Sequence, residues 1–155
     1  MRATRWFRAS AVLLLLFAAG HTYGFLAFRP PSAEGLAVWH SMNEVRFAMG
    51  HSTFSYGGFY VGFGLFITAF YLFTAWLAWW MGSMARRSSG DAEGLAWGML
   101  VLELISLSLA LKYFGAGPAV LSAAAVFCLA FGIVSVRKAT AGAYASAVAT
   151  AGSGA

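Results

Sequence analysis

Four apolar stretches, each long enough to cross a membrane as a helix, constrain this chain more than any other feature. They extend over residues 9–28, 54–81, 95–114 and 119–136. A helix of about 20 apolar residues spans a hydrocarbon layer about 30 Å thick and satisfies its own backbone hydrogen bonds. The sequence therefore predicts an all-α fold, a four-transmembrane-helix bundle in one domain (residues 1–138) with a low-complexity tail (residues 139–155).

The composition agrees with a membrane environment. Of the 155 residues, 61% are hydrophobic and 10% are charged, whereas charged residues make up about a quarter of a soluble domain. The net charge of +5 raises the question of nucleic acid, but the ten basic residues form no run of five and no nucleic-acid-binding motif is present. We therefore expect the lipid bilayer as a partner, and no nucleic acid.

The basic residues also indicate the orientation of the chain. Four spans put both termini on the same side. With the N-terminus inside, seven basic residues are cytoplasmic (Arg2, Arg5, Arg8, Arg86, Arg87, Arg137 and Lys138) and three are outside (Arg29, Arg46 and Lys112). This asymmetry predicts a multi-pass protein of the bacterial inner membrane with both termini cytoplasmic.

The first stretch has an alternative interpretation as a cleaved signal peptide. Three arginines precede an apolar core, and small residues follow at positions 18–20. Apolar and aromatic residues continue through TYGFLAF, which favours a retained span. The span ends at Arg29-Pro30-Pro31, because consecutive prolines lack the N–H groups that a helix needs.

Residues 31–50 are too polar to cross a membrane but carry helix signals. Ser32 is a candidate N-cap, Glu34 lies in the first turn, and Gly50 is a candidate C′ residue. The apolar residues recur at helical spacing: Leu36, Trp39, Met42 and Met49. We predict an amphipathic helix in the outer membrane interface, although a soluble lid over the bundle would have the same pattern.

Two later boundaries complete the predicted bundle. A short polar loop at residues 82–94 makes the neighbouring spans antiparallel, and Gly115-Ala116-Gly117-Pro118 makes the next turn. The fourth span is predicted to stop at Arg137-Lys138. The tail that follows is rich in small residues, and we expect it to be frayed or disordered.

Glu103 lies in the middle of the apolar run LVLELISL. An ionised side chain at mid-bilayer costs several kcal/mol, so this carboxyl must be neutral, paired or facing water. It belongs to a helical stripe with small and polar members, which should face the bundle: Ala96, Met99, Glu103, Ser106 and Ala110. A comparable stripe on the second span makes Thr68 and Tyr71 the expected hydrogen-bond partners.

Three roles for Glu103 stay open. It is a protonated packing residue, a proton-relay or ligand-binding carboxyl in a polar pocket, or an ion-pair partner of His21. The second role predicts a ligand-binding set of Glu103, His21, Thr68, Tyr71 and Ser106.

Metal and cofactor chemistry have weaker support. His40 and Glu44 share a helical face at a spacing compatible with metal ligands, with His51 nearby, but this spacing is common by chance. A haem between His21 and His51 would need both ligands at a similar depth in the membrane. The depths of these two histidines differ by about 10 to 15 Å. We predict no metal site, and the cofactor is unknown. Cys128 is the single cysteine and forms no intrachain disulfide.

Glycines on the second span predict close helix packing. Gly58 and Gly62 form a GxxxG pair, and Gly57 and Gly64 add further small positions. This face favours contact with another helix of the chain, with a second copy, or with another membrane protein.

The first half of the chain resembles a family of uncharacterised small bacterial four-helix membrane proteins, the Leptospira-type hypothetical membrane proteins. The motifs are Gly20-His21, Arg29-Pro30-Pro31 and Gly62-Phe63-Gly64-Leu65-Phe66. The resemblance implies a four-helix membrane architecture and transfers no catalytic residue.

Three functions follow from these features. The leading hypothesis is a protein that binds or carries a lipophilic or protonatable small ligand in a polar pocket around Glu103. The second is a structural or assembly subunit of a larger membrane complex, or a homo-oligomer. The third is a membrane-embedded enzyme using Glu103 and His21, which we disfavour because no feature positions a substrate.

Overall fold

A computed structural model of the chain describes residues 2–152 and shows an all-α fold. Its helices within that range are α1 (Arg2–Ala27), α2 (Ala33–Glu44), α3 (Tyr56–Met84), α4 (Ser89–Leu109) and α5 (Ala116–Gly152). A π-helical turn (Ala110–Phe114) extends α4, and strands β1 (Arg46–Met49) and β2 (Ser52–Ser55) form an antiparallel hairpin. All of these helices except α2 are long and apolar enough to cross a membrane. By this criterion the chain is a multi-pass membrane protein, as the sequence predicts.

The chain divides into two compact units. The first unit consists of two segments of the chain, one up to Phe17 and one from Leu72 onward. It contains the first part of α1, the last part of α3, and helices α4 and α5. The second unit is Ala18–Tyr71, which holds the remainder of α1 and α3 together with α2 and the hairpin. Each unit is described separately below.

Helix α2 begins where the sequence predicts. Ser32 has an extended backbone, and its hydroxyl accepts a hydrogen bond from the Gly35 N–H at 3.1 Å, which caps the helix. The backbone N–H of Glu34 and then the Ser32 hydroxyl lower the pKa of the Glu34 carboxyl, because both bond its charged form. The predicted N-cap is therefore confirmed.

The predicted end of α2 at Gly50 is wrong. The helix stops at Glu44, and Gly50 occupies the hairpin turn with a φ of 62°. Phe47 pairs with Phe54 across the strands, and its ring lies 4.8 Å from that of Tyr56. This aromatic cluster favours the hairpin over two further helical turns.

The C-terminal helix is longer than predicted. Gly115 adopts a φ of 81°, and its N–H donates to Ala110 O at 2.9 Å, which closes the turn into α5. Helix α5 then passes Arg137-Lys138 and continues to Gly152, so the predicted frayed tail is wrong up to that residue. The predicted end of the membrane span at Arg137-Lys138 stays a prediction. Alanine has the highest helix propensity, and the tail is rich in it. Residues 153–155 of the predicted tail lie outside the described residues.

Close contacts in the first unit occur at two glycines. Gly132 on α5 faces the ring of Phe7 on α1, a side chain that is fully buried. Gly82 on α3 lies against the Thr4 backbone, where an added Cβ would be 3.3 Å from the carbonyl oxygen. Larger residues at these positions would push the helices apart.

Candidate functional site

The face of α4 that carries Glu103 points into the first unit. Ala96, Met99, Glu103 and Ala110 are all buried, and Ser106 is half-buried. The predicted inward stripe is confirmed. Its helical spacing follows from the 3.6-residue repeat, which brings positions three and four residues apart onto one face.

Glu103 is completely buried, with no part of the residue exposed. Neither carboxyl oxygen has a hydrogen-bond partner among residues 2–152. The hydrogen bonds that we predicted from Thr68 and Tyr71 are therefore not formed within this range. The carboxyl group is therefore buried in the first unit and forms no hydrogen bond with residues 2–152.

Two hydroxyls of the same unit share this property. Ser10 on α1 and Ser122 on α5 are each completely buried, and within the described chain neither Oγ has a partner. We call Ser10, Glu103 and Ser122 the polar core group. Its members come from three different helices.

The depth of Glu103 follows from contacts between α4 and α5. Near one end of this antiparallel pair, Arg137 Nε donates to Glu93 Oε1 at 2.5 Å. Glu103 lies ten residues further along α4, or about 15 Å at 1.5 Å per residue. The same distance back along α5 reaches Phe127, which therefore lies at about the level of Glu103.

The two serines lie close to that level. The ring of Phe127 is 5.9 Å from the ring of Trp6 on α1, and Ser10 is about one helical turn further along α1. Ser122 precedes Phe127 by five residues, or about 8 Å along α5. By these estimates the three residues of the polar core group lie within about 8 Å of one another along the helix axes.

Burying these three polar side chains without partners lowers the stability of the folded protein. A buried hydroxyl without a partner costs about 1–3 kcal/mol, and a buried ionised carboxylate without a partner costs more. Ionised, Glu103 offers only acceptor sites, whereas each serine offers a donor and acceptors. The set is suited to a ligand that brings a positive charge or N–H donors.

The polar residues of the second unit are arranged differently. The carbonyl oxygen of Gly64 accepts from His21 Nε2 at 3.2 Å and from the Thr68 hydroxyl at 3.1 Å. The hydroxyls of Thr68 and Thr22 are 2.8 Å apart. The structure therefore brings two predicted site residues, His21 and Thr68, together at one carbonyl. These bonds join α1 to α3 within the unit.

The remaining predicted ligand-binding residues divide between the units. Tyr71 is buried in the second unit, where its ring lies 5.9 Å from that of Phe70. Ser106 lies one turn from Glu103 in the first unit. A single ligand site made by all five predicted residues stays a prediction.

The predicted packing glycines have different environments. Gly57 lies against the Asn43 side chain, and Gly64 lies against the ring of Phe25. Gly58 and Gly62 are exposed, and an added Cβ at Gly62 would meet nothing within 4 Å. The contacts within the second unit thus use Gly57 and Gly64, while a role of the GxxxG pair in contacts between chains stays a prediction.

Metal ligands do not cluster in the described part of the chain. No group of three His, Cys, Asp or Glu side chains there could hold a metal ion. Cys128 is a buried free thiol.

Sequence reasoning missed Ser10 and Ser122. A serine or threonine in an apolar helix commonly bonds the carbonyl four residues earlier, as Thr22 does with Ala18 at 2.7 Å. The sequence does not distinguish such a residue from one whose hydroxyl stays unpartnered. A weak signal was available, because both serines lie within predicted spans.

Comparison with known proteins found no matching family model, no matching curated protein and no matching solved structure. The resemblance to the small bacterial four-helix membrane proteins therefore stays a prediction. Function has to be argued from the site itself.

Proposed function

We propose that this protein binds or carries a lipophilic cation or amine in the membrane, with Glu103 as its counter-ion. The observation that carries the proposal is the complete burial of this carboxyl, with both oxygens unpartnered in residues 2–152. Intramembrane acidic residues are rare and usually mark substrate or proton pathways. The excess of basic residues at one end of the spans supports a bacterial inner-membrane location with both termini cytoplasmic.

The chemistry of the polar core group favours a cation over an anion. An ionised carboxylate repels anions, and its burial is tolerated when a positive charge neutralises it. The hydroxyls of Ser10 and Ser122 supply acceptor lone pairs to ligand N–H groups. Large apolar side chains that are also fully buried in the first unit, Leu14 and Leu129 among them, suit the apolar body of the ligand.

A proton competes with the ligand for Glu103. The carboxyl is electrically neutral when protonated, and it then offers a cation no counter-charge. Linkage requires that a ligand selecting the ionised form binds more tightly as the pH rises. Such competition would couple ligand release on one side of the membrane to uptake of a proton.

The test is equilibrium binding of tetraphenylphosphonium to the full chain purified in mild detergent. Its charge does not change with pH, so any pH dependence comes from the protein. Removing one partner of a buried charge pair costs 2–5 kcal/mol, so Glu103→Gln is expected to weaken binding at least about 30-fold. Wild-type affinity is expected to rise with pH, because a smaller fraction of the carboxyl groups is then protonated.

Glu93→Gln is the matched control for this experiment. It removes the same charge from the same helix, but that carboxylate is partly exposed and pairs with Arg137. We expect less than about a threefold change in affinity, because exposed ion pairs contribute little. Equal losses in the two variants, or full binding by Glu103→Gln, would exclude Glu103 as the counter-ion.

A further inference from the structure

A groove of about 910 Å³ opens in the first unit beside the start of α1. Its walls come mainly from the first turns of α1 and from α5 near its basic pair, with Ala85 from the loop after α3. The residues that decide its character are Arg2, Arg5, Trp6, Phe131, Val134 and Lys138. None of the three residues of the polar core group lines this basic groove.

The polar end of the basic groove carries positive charge. Arg2, Arg5 and Lys138 are exposed, and none of them forms an ion pair with a described residue. The neighbouring Arg137 is different, because Glu93 neutralises it. Among residues 2–152, no acidic side chain lines the groove. Three uncompensated cations from two helices therefore converge on one opening, which favours an anion.

The other end of the basic groove is apolar. Phe131 and Val134 are 44% and 45% exposed, and the Trp6 ring lies 5.2 Å from that of Phe131. Both exposed side chains belong to the apolar stretch 119–136, whereas the three cations lie outside the apolar stretches. The groove therefore crosses the boundary between hydrocarbon and headgroup region.

We propose that the basic groove binds a membrane lipid with an anionic phosphate headgroup. The phosphate lies among Arg2, Arg5 and Lys138, and an acyl chain lies along Phe131 and Val134. Arginine suits phosphate because its planar fork of N–H donors bonds two oxygens at once. An apolar lining next to the cations distinguishes a lipid from free phosphate, which has no apolar part. This proposal is independent of any ligand at Glu103.

The experiment is native mass spectrometry of the full chain in mild detergent with added phosphatidylglycerol. A basic residue near an anionic headgroup contributes about fivefold in affinity, so the double variant Arg5→Gln/Lys138→Gln is expected to reduce the bound lipid about 10- to 30-fold. The double variant Arg86→Gln/Arg87→Gln removes equal charge at exposed positions outside the groove lining. It is expected to change binding less than about twofold.

Three further measurements test whether binding depends on the charge of the lipid, on its phosphate alone, and on the charge of the groove. Phosphatidylcholine, with no net charge, is expected to bind at least about tenfold more weakly than phosphatidylglycerol. Millimolar inorganic phosphate is expected to leave the bound lipid unchanged. The exchange Arg5→Lys/Lys138→Arg keeps the charge and is expected to retain binding, which separates lost charge from lost folding. Equal loss in both glutamine variants, or displacement of lipid by phosphate alone, would overturn the proposal.

Discussion

Replacing Glu103 with methionine is expected to stabilise the protein while abolishing binding of the lipophilic cation. The carboxyl is completely buried and has no hydrogen-bond partner among residues 2–152. Methionine has a similar length, adapts to irregular spaces and brings no polar atom that needs a donor. Removing an unsatisfied buried polar group recovers about 1–3 kcal/mol. Denaturant unfolding in mixed micelles measures the gain, and tetraphenylphosphonium binding measures the loss.

The sign of the stability change distinguishes two roles of Glu103. A carboxyl retained for ligand binding costs stability, so its removal raises the free energy of unfolding. A carboxyl that holds helices together contributes stability, and its removal lowers that free energy. Ser106→Ala, one turn away on the same face and half-buried, serves as the control and is expected to change stability by less than about 0.5 kcal/mol. A loss above 1 kcal/mol in Glu103→Met would favour the packing role.

Replacing Gly132 with alanine is expected to destabilise the first unit by about 1–3 kcal/mol. The added Cβ would lie 2.8 Å from Cδ1 and 3.0 Å from Cζ of the Phe7 ring. Phe7 is completely buried, so its ring has little freedom to move away. Either α1 and α5 separate or the ring adopts an unfavourable rotamer. The free energy of unfolding in mixed micelles is again the measurement.

Gly98 provides the matched control for this substitution. It is also a helix glycine, but it is exposed and an added Cβ meets nothing within 4 Å. Gly98→Ala is expected to be neutral or to stabilise by up to about 1 kcal/mol, because alanine is the better helix former. In a Phe7→Leu background the cost of Gly132→Ala should fall, since the smaller side chain leaves room. Similar effects of the two alanine substitutions would contradict the contact with Phe7.

The spans could be predicted from the sequence because the bilayer sets a length that the apolar stretches match. The expected starts of α3 and of the third span lie within a few residues of those observed, Tyr56 and Gly90. The first helix begins at Arg2 rather than Ala9, because basic residues prolong a helix beyond the hydrocarbon without interrupting its backbone bonds. Hydropathy marks the apolar layer and not the ends of the helices.

The hairpin and the long C-terminal helix could not be predicted in the same way. Gly50 satisfies the pattern of a helix stop and the pattern of a hairpin turn, since both need a positive φ. The choice depends on the packing of Phe47 against Phe54, Tyr56 and Phe59. These partners follow Gly50 in the chain and lie outside the segment that carries the helix pattern. Beyond Lys138, loss of hydropathy ends the apolar span, but alanine-rich sequence continues the helix to Gly152.

The inward direction of Glu103 could be predicted, whereas its neighbours could not. The direction follows from helical periodicity within one segment, as Ala96, Met99 and Ala110 confirm. The neighbours depend on how helices distant in sequence come together. Ser10 and Ser122 therefore join Glu103 in the site that we propose, and Thr68 bonds Gly64 in the second unit. A site that also includes Thr68 and Tyr71 stays a prediction.

The central claim is that a cation exchanges with a proton at Glu103, and proton release on ligand binding tests it most directly. Calorimetric titration with tetraphenylphosphonium in two buffers of different ionisation enthalpy counts the protons released. Our account predicts the release of up to about one proton per bound cation, since a single carboxyl carries a single proton. It also predicts that the release is absent in Glu103→Gln. Tight binding with no proton release at any pH, or the same release in Glu103→Gln, would contradict it.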